Sequence, residues 1–150
     1  MGVTGFDHVA LPTANAERFL AFYRRLGFPI DGEDEWRSGK QPHFAIAVGA
    51  NKINVHPETM VAMRGQPFYL RGPAAEPGCG DLCFVWEGGI DALQAHLREV
   101  DVDVIEGPVV RSGAREGGVS VYIRDPDDNL LEFISYQPED IARYPDRTRS

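Results

Sequence analysis

A faint internal repeat constrains this chain more than any other feature of its sequence. Residues 3–11 are apolar up to a turn at Pro12, which predicts a strand. Residues 16–26 then place Phe19, Phe22, Tyr23 and Leu26 on one helical face, with Asn15 or Thr13 as N-cap and Gly27 as the stop. A weak strand is read near 28–36, and firmer ones at 43–48 and 52–56. The order recurs: a strand at 80–86, a helix at 90–100 carrying Ile90, Leu93, Leu97 and Val100, then strands at 103–110, 118–124 and 129–136. A shift of 73 residues sets His8 on Asp81 and Leu20 on Leu93, and a shift of 78 sets Asn51 on Asn129 and Asn54 on Glu132. Two βαβββ modules, about 4–57 and 79–137, account for both registers with one five-residue insertion.

A length of 150 residues leaves room for two such modules and a short tail, with little for a separate substrate domain. The segment 57–79, with Pro57, Pro67, Pro73 and Pro77, reads as the linker, and 138–150 as a loosely held polar tail. A hydrophobic fraction of 43% argues against disorder, and no apolar run approaches a bilayer span. Fifteen Lys and Arg against 23 Asp and Glu give a net charge of −8, so neither nucleic acid nor an anionic membrane is an expected partner. The opening MGVTGFDHVALP lacks the pattern of a secretory signal, and Cys79 and Cys83 lack a second pair for a thiolate zinc site. Reduced cytoplasmic thiols are expected, with Cys83 as a small buried side chain.

The repeat marks four equivalent strand positions, His8, Asn54, Asp81 and Glu132. A lone His in an apolar strand is more often a hydrogen-bonded core residue than a ligand. Glu132 interrupts LLEFIS, so it must be exposed, paired or bound to a metal. His56 shares a strand face with Asn54. If these faces converged, His8, His56 and Glu132, with Asp81 as a second carboxylate, would suit a divalent first-row metal with open positions. The run Asp125, Pro126, Asp127, Asp128 reads as a turn held by Asx hydrogen bonds, ahead of calcium binding. His43 and His96 are not expected to be ligands. Arg111 and Arg115, near the GAREGG stretch, are placed to meet an anionic substrate.

FDHVALPTANAERFLAFYRRLGF resembles the opening of vicinal oxygen chelate proteins, the glyoxalase, bleomycin-resistance and extradiol-dioxygenase superfamily. IRDPDDNLLEFISY is similar to that superfamily's closing strand pair. KINVHPE, GDLCFVWE and EGPVVRSGAREGGVSVYIRDPD resemble the glyoxalase domain-containing protein 5 and virulence-protein-like subgroup. The likeness runs from residue 4 to 137.

It implies an α+β fold in which two tandem βαβββ modules form a curved eight-stranded mixed sheet around a metal site. His8 matches the family's first ligand and Glu132 its last. Asp81 stands where a His is common and Asn54 where a Glu is usual; His56, two residues along, is the candidate to compensate. The implied cofactor is a divalent ion: Fe, Mn, Ni, Co or Zn. The implied activity is a lyase or isomerase on a small oxygen-chelating substrate, with Glu132 also a general base and ring-cleaving oxygenation a variant. The competing expectation is a metal-free protein that sequesters a small molecule, like the bleomycin-resistance members, in a pocket using Phe68, Tyr69 and Trp86. A homodimer is expected.

Overall fold

The computed structural model describes residues 1–67 and 69–144, in two compact units. The first holds Met1–Cys79 together with the short turn Pro126–Asp128. Its elements are β1 (His8–Pro12), α1 (Ala16–Leu26), β2 (Ile30–Asp31), α2 (Glu33–Arg37), β3 (Phe44–Val48), β4 (Asn51–His56) and α3 (Glu58–Val61). Helix α1 starts where the Asn15 side chain accepts from Arg18 N at 3.0 Å, and ends at Gly27 in the left-handed region. Its apolar face supplies Phe19, Leu20 and Tyr23 to a core completed by Leu11, Phe44, Ile46, Ile53 and Val55. The sheet order is β1-β4-β3-β2, with β1 parallel to β4 and the other pairs antiparallel.

The second unit repeats this design with β5 (Asp81–Val85), α4 (Ile90–Glu99), β6 (Glu106–Gly113), β7 (Glu116–Arg124), β8 (Leu130–Ser135) and α5 (Pro138–Arg143). Its sheet order, β5-β8-β7-β6, matches the first, again with only the outer pair β5/β8 parallel. Ile90, Leu93 and Leu97 of α4 are buried, as are Val119, Val121, Ile123, Leu131 and Phe133 of the strands. In the first unit His8 pairs with Lys52 and Ala10 with Asn54; in the second Asp81 pairs with Leu130 and Cys83 with Glu132. The 73- and 78-residue shifts carry each first-unit pair onto its second-unit counterpart. The two registers inferred from sequence are therefore the registers of the parallel outer strands.

Several expectations change. The strands form two four-stranded sheets rather than one eight-stranded sheet. The weak strand near 28–36 is a two-residue strand running into α2, and the supposed linker opens with the short α3. The tail is not loosely held where it is described: residues 138–143 form α5, with Asp140 buried. Cys83 is exposed rather than a core residue, because its strand turns that side chain away from the apolar face. No described helix is long and apolar enough to cross a membrane.

Candidate functional site

Strand alternation gives each sheet one face committed to its core and a second face that carries the polar residues. On the second face of the first unit, His8, Ala10 and Pro12 of β1 lie beside Lys52, Asn54 and His56 of β4, with Ala45 and Ala47 of β3 beyond them. His8 is half-exposed, and its Nδ1 lies 2.5 Å from Asp7 Oδ1. A carboxylate on one ring nitrogen fixes the tautomer and leaves Nε2 as the free lone pair. Asn54 Oδ1 is buried without a hydrogen-bond partner among the described residues, an acceptor that ordinarily costs stability.

His56 does not join His8. It lies four residues beyond His8's partner Lys52, about 13 Å along the strand. Two imidazoles so placed are too far apart to share an ion that binds nitrogen at about 2.1 Å. His56 instead shares a 3.0 Å hydrogen bond between its Nδ1 and the Tyr69 hydroxyl, and its ring lies 6.3 Å from that of His43. Burial, and then the positive charges of His43 and Arg71, hold its pKa below the usual histidine value. At neutral pH it is an uncharged ring.

On the corresponding face of the second unit, Asp81 and Cys83 lie beside Leu130 and Glu132, with Ser120 and Tyr122 of β7 next across the sheet. The Glu132 carboxylate accepts from Ser120 Oγ at 2.5 Å, with Tyr122 and Cys83 opposite it on the two neighbouring strands. Partial burial and the adjacent Glu132 charge push the Cys83 thiol up to about 12, so it stays protonated. Burial first, then Glu132, raises the Tyr122 phenol, although a 3.1 Å bond from Arg111 Nε opposes the rise. The Ser120 hydroxyl thus holds the Glu132 side chain in a half-buried position, with neutral O–H and S–H groups beside it. Asp81 is exposed, one diagonal step from Glu132 on the same face.

Each unit therefore brings one pair of the marked positions together, His8 with Asn54 and Asp81 with Glu132. Within neither unit do three or more described His, Cys, Asp or Glu residues cluster to hold an ion. The turn aspartates are structural: Asp125 accepts from Asn129 N at 3.0 Å and Nδ2 at 2.8 Å, while Asp127 takes Thr13 Oγ1 at 2.5 Å and Ala14 N at 3.0 Å. Trp86 donates to Gly89 O and stacks on His96, and Phe68 lies outside the described residues. Sequence reasoning missed Ser120, Tyr122 and Asp7, while Tyr69, expected as a pocket aromatic, is the hydrogen-bond partner of His56. The alternation in GVSVYIR does set Ser120 and Tyr122 on one face, but nothing local to that segment shows that Glu132 is their neighbour.

With this geometry in view, comparison with known proteins is informative. The profile of the Glyoxalase/Bleomycin resistance protein/Dioxygenase superfamily matches residues 5–133. The glyoxalase domain-containing protein RDO1 of Mycosarcoma maydis is 36% identical over 137 residues, spanning 91% of this chain and 71% of that protein. Virulence protein STM3117 of Salmonella typhimurium is 33% identical, over 91% and 87% of the two chains. Its crystal structure superposes with a TM-score of 0.76, covering 91% of this chain and 100% of that one. A lactoylglutathione lyase from Agrobacterium tumefaciens, 18% identical, shares the fold at a TM-score of 0.65, over 90% and 96%. The chain belongs to the glyoxalase/bleomycin resistance/dioxygenase superfamily.

Proposed function

We propose that the protein is a divalent-metal-dependent lyase or isomerase acting on a small substrate that chelates through two oxygens. One observation carries this reading: Glu132 is a half-buried carboxylate kept between Leu131 and Phe133 of β8 and held by the Ser120 hydroxyl. The donor chemistry fits a first-row divalent ion. Each unit by itself presents donors of the kind such an ion takes: His8 Nε2 and the Asn54 amide oxygen in the first, the Asp81 and Glu132 carboxylates in the second. Such an ion, when bound, supplies Lewis acidity toward substrate oxygens. Glu132 would take the proton from the substrate carbon. Ser120 orients that carboxylate, and Tyr122 and Cys83 flank it from the neighbouring strands.

The alternative, a metal-free binding protein, draws support from Asn54, since an amide oxygen replaces a carboxylate at the position equivalent to Glu132. Metal analysis of the purified protein beside His8→Ala and Glu132→Ala separates the two. Near-stoichiometric metal in the parent, falling in both variants, is expected; equal and substoichiometric metal in all three would sink the metalloenzyme. Two unpaired cysteines fit a reducing, cytoplasmic setting. A homodimer is also proposed, and sedimentation showing only a 16.6 kDa species at micromolar concentration would refute it.

A further inference from the structure

Arg71, on the segment that follows α3, is the most enclosed cation of the described ion pairs: its side chain is 8% exposed. Its Nη2 donates to the Ala75 carbonyl, and its nearest carboxylate, Glu76, is 3.7 Å away and already paired with Arg64. Its Nη1 is buried with no hydrogen-bond partner among the described residues. One carboxylate is thus shared by two guanidiniums, leaving an enclosed positive charge in a chain whose net charge is −8. An enclosed guanidinium that is neither fully paired nor fully bonded is costly in a folded protein.

The surroundings repeat the theme. The guanidinium sits 5.9 Å from the centre of the Tyr69 ring, and the Tyr69 hydroxyl reaches His56 Nδ1 at 3.0 Å. His56 in turn faces His43. No carboxylate is hydrogen-bonded or ion-paired with either histidine or with Tyr69 among the described residues, although Asp31 and Glu35 share a cavity with His43.

We propose that Arg71, with Tyr69 and His56, forms an anion-binding subsite in the first unit. It takes the carboxylate, phosphate or phosphonate group of a small molecule. A planar guanidinium with a free Nη1 edge, backed by an aromatic ring, suits an oxyanion that can accept two parallel hydrogen bonds. The inference deepens the preceding reading by giving its substrate an anionic end, and depends on that reading only in treating the bound molecule as substrate.

The test titrates the full-length protein with inorganic phosphate, and separately with acetate, following heat by calorimetry and the His56 ring signals by NMR. Saturable one-to-one binding that moves the His56 signals is expected with at least one of the two. Tighter phosphate binding identifies a tetrahedral oxyanion, tighter acetate binding a carboxylate. Arg71→Gln should weaken the binding at least tenfold, and Glu132→Gln should leave it within twofold. The proposal is overturned if neither anion saturates, if saturation leaves the His56 signals in place, or if Arg71→Gln binds as the parent does. The His56 readout decides the matter in the parent protein even if the Arg71 variant fails to fold. Loss of the metal reading leaves this anion result intact, and a failed titration leaves the metal stoichiometry intact.

Discussion

Glu132 and Asn54 hold the same place in two copies of one register, yet one is a carboxylate held by Ser120 and the other an amide oxygen with no donor among the described residues. That contrast makes Glu132 the residue to test first, and Cys83 reports on it. A thiol near 12 is almost entirely protonated at pH 8, so alkylation of Cys83 should be slow despite its exposure and should quicken about tenfold per pH unit. Glu132→Gln removes one of the causes that raise the thiol and should speed labelling severalfold, as followed by peptide mass spectrometry. A second expectation concerns His43 and His56. Both have folded-state pKa values lowered, chiefly by burial. An unfolded chain then binds more protons than the folded one below about 6.5, the unperturbed value. Stability should therefore be level above that pH and fall as pH drops toward the folded values, seen as a lower urea midpoint at pH 5 than at pH 7.5. The four marked positions were legible because they need only strand alternation and the repeat. His56 was misjudged because sharing a face says nothing about distance along the strand.

Among the elements, the long helices α1 and α4 were readable because several apolar residues recur on one face of each. The helices α2, α3 and α5 span only four to six residues, too short for that signal and dependent on tertiary contacts to form. Helix α5 shows such a contact. The N-cap of α4 is Gly89, which has no side chain to satisfy the first amide, and Asp140 of α5 supplies the missing acceptor to Ile90 N at 3.0 Å. The same Oδ2 accepts from Ser135 Oγ at 2.6 Å, and Arg143 pairs with Asp91 nearby. Asp140→Ala would leave two buried donors unsatisfied and should cost about 1–3 kcal/mol in urea unfolding. A loss under about 0.3 kcal/mol would show that α5 does not cap α4 in solution. Strand β6 carries a second sensitive position. Gly107 has a φ of +101°, and a Cβ there would lie 2.4 Å from the Ser120 carbonyl. Gly107→Ala should therefore destabilise by more than about 1 kcal/mol, the scale of backbone strain alone. Because Ser120 also holds Glu132, the variant's metal content should fall with its thermal midpoint.

At the scale of the whole molecule, the sequence disclosed two modules but not their bookkeeping along the chain. Each sheet closes by pairing its first strand with its last, so the outer parallel pairs join residues far apart in sequence. Such pairings make folding slow relative to helical bundles of similar size. The first unit goes one step further, since the corner between β1 and α1 is held by Asp127, a residue 114 positions after Thr13. A nascent polypeptide leaving the ribosome therefore lacks this clasp until most of the second module has been translated. A chain terminated at Cys79 should fold less stably than the same unit within the full protein, and a separately synthesised remainder should raise its thermal midpoint. Vectorial synthesis and order of folding thus run in different directions here: the half that is made first is finished last.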